Sequence, residues 1–256
     1  MIKGLYTSAL GMATQMQKMD VVSNNIANAD TTGYKRDMVV TRSFSEELMR
    51  RLDDPADIPH DVGIGRVSQG VFVDDVWTDF TNGSLRNVGG PLNLALEGDG
   101  FFTVQATGQD GNIVERYTRQ GSFTRAADGS LVTQEGYKVL GENGPVTLPP
   151  NGSIAIDDYG RVTVDDEYID TLKLTSFTDN SSLRKVGGNL LETTGQSQSQ
   201  AYNGTVRQGF LENSNVNSVR EMVDMITVSR TYEANSRLIS LFDSTLARTV
   251  NDIARK

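Results

Sequence analysis

Residues 5–36, LYTSALGMATQMQKMDVVSNNIANADTTGYKR, decide the fold of this chain. Apolar side chains recur in this stretch in alternating steps of four and three, which is the heptad pattern of a helix that packs along one stripe. Residues 28–33 are rich in Asn, Asp, Thr and Gly, which favour turns and end helices. The pattern predicts one helix over residues 3–28. Its stripe consists of Leu5, Ala9, Met12, Met16, Met19, Val22 and Ile26.

A second heptad stripe lies at the other end of the chain. Residues 213–217, NSNVN, offer side chains that cap the start of a helix. Apolar or aromatic residues then recur at heptad spacing, with interruptions at Asn235 and Thr249. We therefore predict a helix within residues 215–256. We call the apolar stripes of both helices the seam, and on the second helix it consists of Met225, Val228, Tyr232, Ile239, Phe242, Leu246 and Ile253.

Between the two helices the pattern changes to alternation, and Gly-containing turns separate short β-branched and aromatic runs. Such runs joined by tight turns are typical of hairpins. The predicted hairpins join 123–125 to 131–133 across Asp128-Gly129, and 154–156 to 162–164 across 157–161. Two further strands are predicted at 94–96 and 101–104 across a tight turn, a short helix at 44–52, and a loop or return strand at 192–204.

The pattern as a whole predicts an α+β fold, in which N- and C-terminal helices form a coiled coil and the centre is an all-β domain of hairpins. The predicted boundaries are 1–36 for the N-terminal helix, 37–70 for a connecting segment, 71–200 for the β domain, 201–214 for a return connection and 215–256 for the C-terminal helix.

The composition excludes several classes of function. The 256 residues carry 33 acidic and 24 basic side chains, and this net charge of −9 disfavours binding to nucleic acid or to anionic lipid. Without cysteine, and with His60 as the one histidine, the chain offers no usual transition-metal ligand set and no convincing Ser-His-Asp triad. We therefore predict no catalytic residue, no metal and no cofactor. The carboxylate pairs Asp74-Asp75, Asp157-Asp158 and Asp165-Asp166 are expected to be solvated turn charges.

The sequence also offers no membrane-insertion signal. No apolar run approaches the roughly 18 residues of a spanning helix, and the start lacks the apolar core of a cleaved signal peptide.

A lone terminal helix gains little from its own hydrogen bonds in water. The two end helices therefore need each other, or copies of the chain, to cover their stripes.

Several blocks of sequence stand in order along the chain. The first is residues 24–36, NNIANADTTGYKR. The others are 92–102 (LNLALEGDGFF), 117–123 (YTRQGSF) and 208–217 (QGFLENSNVN), continued by 221–223 (EMV) and 229–235 (SRTYEAN). These blocks resemble a known family, the axial proteins of the bacterial flagellar rod and hook, and the first is similar to the N-terminal signature of that family. The resemblance therefore extends over essentially the whole chain.

The resemblance implies a structural, non-enzymatic subunit of the flagellar basal body, outside the cytoplasmic membrane after export. In that family the terminal helices pair around an axial channel, the β domain forms an outer layer, and subunits stack helically into a hollow driveshaft. The implied partners are copies of the chain, adjacent rod and hook proteins, the flagellar type III export apparatus, and surrounding ring or bushing proteins. Chain length and the segment after Arg36 favour the distal rod type, and the proximal type is the alternative.

The signature gives a second set of candidate residues where the first helix joins the β domain: Asn24, Asn25, Asn28, Thr31, Gly33, Tyr34 and Lys35. The Asn side chains either end the helix or satisfy backbone groups of neighbouring subunits, and the resemblance favours the second role. Gly33 is expected to meet a backbone requirement. A hinge or an inter-subunit contact is the role expected of Tyr34 and Lys35.

Two other interpretations stay open from the residues alone. In one, the helices fold back on their own β domain and form a self-contained binding module or hydrolase, whose activity would survive removal of residues 1–30. In the other, a secreted adhesin-like β protein carries helical oligomerisation tails.

Overall fold

The computed structural model describes residues 2–44, 47–50, 63–68, 70–108, 111–195 and 198–254. The chain divides into two compact units. The first unit comprises Met1–Ile26, Asp37–Trp77 and Asn217–Lys256, and the second comprises Ala27–Arg36 and Thr78–Val216. Each unit is therefore assembled from segments that are far apart in the sequence.

The first unit contains a helix at each end of the chain, as predicted. α1 spans Ile2–Ala27 and α2 spans Ser218–Ala254. Asn217 caps α2, because its Oδ1 accepts the Arg220 N–H at 3.1 Å and its carbonyl accepts the Glu221 N–H at 3.0 Å. Within the described residues, neither helix carries an apolar stretch long enough to cross a membrane.

The segment after α1 forms strands. These are β1 Asp37–Ser43, β2 Glu47–Arg50, β3 Gly63–Val67 and β4 Val71–Thr78, with β1 paired to β4 and β2 antiparallel to β3. The helix predicted at 44–52 is therefore wrong for residues 47–50. Pairing with β3 gives this stretch the backbone partners that so short a helix could not supply for itself. Pro55, Pro59 and His60 lie outside the described residues.

This strand segment groups with the helices, whereas the predicted boundaries divide it between a connecting segment and the β domain. The Thr14 hydroxyl donates to the Val71 carbonyl at 3.1 Å. Leu10 packs so closely on Gly70 that a Cβ added there would lie 2.7 Å from a Leu10 methyl carbon. Contacts of this kind tie the start of β4 to α1.

The second unit is built from short strands. They are β5 Leu85–Asn87, β6 Leu94–Glu97, β7 Phe101–Thr107, β8 Ile113–Thr118, β9 Phe123–Arg125, β10 Leu131–Thr133, β11 Lys138–Gly141, β12 Gly144–Pro145, β13 Ile154–Ile156, β14 Arg161–Val164, β15 Glu167–Thr171, β16 Leu174–Phe177, β17 Leu183–Gly187, β18 Leu190–Thr193, β19 Ser199–Ala201, β20 Thr205–Gln208 and β21 Phe210–Glu212. A 3₁₀ helix spans Asn180–Ser182. The largest sheet has the order β17-β18-β8-β7-β11-β10-β9, with β12 on β11 and with β16 bridging β7 and β19. Smaller sheets are β13-β14-β15, β6-β20 and β5-β21.

The local turn signals coincide with antiparallel pairs, since β9 pairs with β10 and β13 with β14. The strands predicted on either side of residues 97–100 are also present, as β6 and β7, but they do not pair with each other. β6 pairs with β20 and β7 with β8. The Tyr202 side chain lies beside Gly100, and its hydroxyl donates to the Glu97 carbonyl at 2.8 Å, which helps hold the start of β20 against β6.

Apolar side chains from these sheets form the core of the second unit. Phe102 and Phe123 meet edge to face with ring centroids 5.0 Å apart, and a smaller cluster gathers around Phe101 and Phe177. Burial of such rings supplies much of the stability of a small β unit.

The carboxylate pairs fall into two groups. Asp157 and Asp165 lie in turns, as predicted, and each accepts a backbone N–H. Asp74 instead lies within β4, where it forms an ion pair with Arg42 at 2.8 Å, so the predicted turn is wrong at this position.

Candidate functional site

α1 turns a face of small and polar residues toward α2. A Cβ added to Gly4 would lie 2.8 Å from the Phe242 ring, and one added to Gly11 would lie 3.1 Å from the Asn235 amide nitrogen. Ser8 lies on the same face and is buried. Because these positions carry little or no side chain, the larger residues of α2 can approach the α1 backbone closely.

The seam residues of α1 lie on a neighbouring face. Leu5, Met12 and Ile26 each follow directly after a residue that contacts α2, so they lie about 100° further round the helix. Ala9 is exposed and Met16 is 60% exposed. The half-buried members are Leu5, Met12, Met19, Val22 and Ile26. Pairing with α2 therefore leaves apolar surface of α1 open.

The seam of α2 is less exposed than the rest of that helix. Its half-buried members are Met225, Val228, Tyr232, Ile239 and Phe242. Leu246 is 36% exposed, and the side chain of Ile253 lies outside the described residues. Outside the seam, Val223, Leu241 and Val250 are each more than half exposed. α2 thus also carries apolar surface that α1 does not cover.

Asn25 is almost completely buried and links three parts of the first unit. Its Nδ2 donates to the Asp37 carbonyl at 2.8 Å and to Glu221 Oε2 at 3.3 Å, while its Oδ1 accepts the Asp37 N–H at 3.0 Å. Glu221 is also 1% exposed. Because both ends of the Asn25 amide are used, its side chain has one orientation. Asn24, by contrast, is exposed.

In the second unit, Asn28, Thr31 and Gly33 form the turn that follows α1. Thr31 donates to Asn28 through its N–H at 3.2 Å and its hydroxyl at 3.3 Å. Gly33 has a φ of 69°, and its N–H donates to the Glu212 carbonyl at 2.9 Å. A Cβ here would lie 2.5 Å from the Arg119 carbonyl carbon, so another residue would be both strained and in collision.

Lys35 belongs to a buried ionic cluster that we define as Lys35, Arg119 and Glu212. The Lys35 amino group lies 2.7 Å from Glu212 Oε1, and the Arg119 guanidinium lies 3.2 Å from Glu212 Oε2. The Lys35 amino group also donates to the Thr81 carbonyl at 2.8 Å, and the Gly83 N–H donates to Glu212 at 2.9 Å. All three charged side chains are at most 3% exposed.

Burial lowers the pKa of Lys35 below its ordinary value, and the Glu212 carboxylate only partly opposes this effect. Tyr34, the neighbouring signature residue, is 4% exposed. The Lys185 amino group lies 4.0 Å from the centre of the Tyr34 ring, a cation–π contact, and donates to the Lys35 carbonyl. In the chain as described, Tyr34 and Lys35 are thus interior residues of the second unit.

Sequence reasoning missed the partners of these residues. Arg119 and Glu212 stand within the family-like blocks, yet nothing local marks them as buried. The sequence predicts Asn215 as a candidate helix cap, but its side chain instead accepts the Arg36 N–H at 2.7 Å and donates to the Asp79 carbonyl at 2.8 Å. No local signal could have found these contacts, because the partners named here lie at least 93 positions apart in the sequence.

These arrangements hold elements in place and offer little for chemistry. Within the described residues, no three side chains of His, Asp or Glu converge in a way that could hold a metal ion. The charged groups of the buried cluster bond to one another and to backbone groups. The described parts of the two helices also expose apolar side chains, among them Met16 and Leu241.

Comparisons with known proteins show to which family the chain belongs. Three family models match in order along the chain: flagella basal body rod protein over residues 5–35, flagellar hook protein FlgE/F/G D1 domain over 95–164, and flagellar basal body rod FlgEFG protein C-terminal over 207–253. The chain is thus of the class of flagellar rod and hook proteins, which are structural and not enzymatic.

Curated relatives narrow the class. The flagellar basal-body rod protein FlgG of Buchnera aphidicola subsp. Schizaphis graminum is 35% identical, over 97% of this chain and 98% of the relative. FlgG of Agrobacterium fabrum is 33% identical over 94% and 96%, and the rod protein FlgF of Caulobacter vibrioides is 34% identical over 93% of each. The chain belongs to the family of flagellar basal-body rod proteins, structural components of the flagellum basal body.

Proposed function

We propose that the chain is a distal-type rod subunit that polymerises helically into a hollow driveshaft, which transmits motor torque to the hook and encloses the export channel. In this proposal α1 and α2 pair as a coiled coil, and the hairpins of the second unit form an outer layer. The matches to FlgG proteins over nearly the full length of the chain support the distal assignment.

The observation that carries this proposal is that two faces of α1 differ in their contacts with α2. One face, with Gly4, Ser8 and Gly11, is used by α2, while the seam with Met16 stays partly open. Each square ångström of apolar surface removed from water contributes about 25 cal/mol. Copies of the chain that cover the α1 seam and the outer apolar residues of α2 would gain this energy on assembly.

The proposed partners follow from this role. They are further copies of the chain, the adjacent rod and hook proteins, the flagellar type III export apparatus, and ring or bushing proteins that surround the second unit. Nucleic acid and direct membrane insertion have no part in the proposal, because the chain is acidic and its helices are too polar.

The proximal rod type is the second candidate, and the match to FlgF of Caulobacter vibrioides favours it. Expression of the chain in strains that lack either the proximal or the distal rod protein separates the two. Restored motility only in the strain without the distal protein supports the first candidate, and restoration only in the other strain supports the second.

The rod proposal itself is tested by placing a charge in the seam. Met16→Asp is expected to abolish rod assembly and motility, because a carboxylate buried between subunits has no partner. Gln17→Asp is the matched control, since Gln17 is an exposed polar residue on the same turn. Normal rods built from the Met16→Asp chain would contradict the proposal.

A further inference from the structure

Three contacts between α1 and α2 share one antiparallel register. The contacting pairs are Gly4 with Phe242, Gly11 with Asn235, and Asn25 with Glu221. A step of seven residues forward along α1, from the first pair to the second, moves the contact seven residues back along α2. A step of fourteen residues along α1, from the second pair to the third, moves the contact fourteen residues back along α2. The register therefore holds without a slip over three heptads.

Packing alone does not define this register. The glycines of α1 are seven residues apart, and each lies against a side chain of α2, Phe242 for Gly4 and Asn235 for Gly11. Because the α2 seam also repeats every seven residues, sliding the helices by one heptad places Gly11 opposite Phe242 or Val228, where comparable packing is possible. Repeating small-to-large contacts of this kind tolerate slippage.

The third pair is different, because it is polar, buried and used once. The Asn25 amide is already fixed by two hydrogen bonds to the backbone of Asp37, at 2.8 and 3.0 Å. Glu221 lies one turn into α2, which starts at the Asn217 cap. A slip by one heptad would move the buried carboxylate about 10 Å from its amide donor. An interior carboxylate that loses a donor is costly, so slipped registers are disfavoured.

We propose that Asn25 and Glu221 are positioning residues that set the register of α1 against α2. The inference deepens the proposed function, on which it rests in so far as both require the two terminal helices to pair. A single polar pair in a heptad interface is a known way to specify register at some cost in stability. It also explains why two polar residues occupy the least exposed positions of a helix pair whose seam is apolar.

The absence of cysteine makes the register directly measurable, because introduced cysteines are the only thiols in the chain. The full chain carries Gly11→Cys with Asn235→Cys to report the described register. In a second chain, Gly11→Cys with Val228→Cys reports a slip of one heptad, because in the described register the two positions are displaced by about 10 Å along the helices, too far for a disulfide. Both are oxidised in dilute solution and in isolated rods, and the cross-linked fraction is read from mobility on a denaturing gel.

We expect the first pair to cross-link at least about tenfold more than the second, since a buried hydrogen bond to a charged group corresponds to a factor of this order or more. Adding Glu221→Leu should bring the two yields close to equality. Glu221→Gln should keep the preference, because an amide still accepts from Asn25. Ser23→Leu, at an exposed position of α1, is the matched control and should change nothing.

Equal yields in the parent chain, in solution and in rods alike, would overturn the inference, and so would a preference that survives Glu221→Leu. If circular dichroism shows that Glu221→Leu removes helix content, Asn25→Ala is used instead. Asn25→Ala must then lower the ratio of the first cross-linking yield to the second. A chain that cross-links in register but builds no rods contradicts the proposed function alone. Rods that show no register preference contradict this inference alone.

Discussion

The carboxylate of Glu212 lies 2.7 Å from the amino group of Lys35, although 177 positions separate the two residues in the sequence. Arg119 supplies a second cation, 3.2 Å from the other carboxylate oxygen. One anion therefore holds two cations in the interior of the second unit. Loss of Glu212 leaves both cations uncompensated, whereas loss of Lys35 leaves the carboxylate with Arg119.

Glu212→Gln is expected to lower the free energy of unfolding by about 3–5 kcal/mol, the usual cost of breaking a buried ion pair from one side. Lys35→Met should cost less, because Arg119 and the Gly83 N–H still bind the carboxylate. Urea unfolding of the full chain measures both. Glu115→Gln is the control: it breaks the exposed pair with Lys173 and should cost less than about 1 kcal/mol. Equal losses of unfolding free energy in the three variants would contradict the conclusion that Lys35, Arg119 and Glu212 form a buried ionic cluster.

Gly33→Ala should be much more destabilising than alanine at another glycine with positive φ. Gly136 has a φ of 91° and nothing within 4 Å of an added Cβ, so Gly136→Ala adds only backbone strain, about 1–2 kcal/mol. Gly33→Ala adds the collision with the Arg119 carbonyl and should cost at least about 1 kcal/mol more. Thermal unfolding compares the two variants. Similar melting temperatures would mean that the Gly33 turn relaxes.

Tyr202 is expected to make the stability of the second unit sensitive to alkaline pH. Burial raises the pKa of its phenol to about 12, against the opposing effect of Arg119. The protonated phenol is therefore favoured in the folded state, and its contribution to stability is complete below pH 10 and is lost as the pH rises from 10 to 12. Urea unfolding across this range should show a steeper loss for the parent chain than for Tyr202→Phe. The exposed control Tyr159→Phe should behave like the parent.

A fragment of residues 27–216 should fold without the two helices. The core of the second unit and its buried ionic cluster lie entirely within this fragment. Its urea transition, followed by circular dichroism in the strand region, should be cooperative. The folded fragment should also resist protease. Conversely, the terminal helices of the dilute full chain should be cut first, since their seam is partly exposed. A fragment without a cooperative transition would show that the second unit depends on the helices.

The sequence-based prediction succeeded where local patterns determine structure. Heptad spacing located α1 and α2, and the Asp128-Gly129 turn located β9 and β10. It failed where a distant segment supplies the partner. β6 takes its partner β20 from more than a hundred residues away, and residues 47–50 are a strand because β3 pairs with them.

The faces of α1 show a further reason why the sequence-based prediction was incomplete. A pattern of apolar residues includes Met16 and leaves glycine out. Gly4 and Gly11, however, are the residues that let side chains of α2 approach α1 closely. Likewise, the family resemblance points to Asn25, whereas its partner Glu221 lies in a resembling block in which no single residue is marked. Nothing in the sequence around either residue reveals the other, because the contact depends on the register of two helices from opposite ends of the chain.

In the second unit, β5 pairs with β21, β6 pairs with β20, and the Gly33 N–H bonds to the Glu212 carbonyl. The polypeptide therefore enters and leaves this unit at neighbouring positions. The β5–β21 and β6–β20 pairs fix the distance between these positions, whatever the length of the chain between them. Insertions or deletions at outlying turns, such as the one at Gly136, can change the size of the unit and leave these strand pairs unchanged. The unit can in this sense be exchanged for a larger or smaller one that is joined through the same strand pairs.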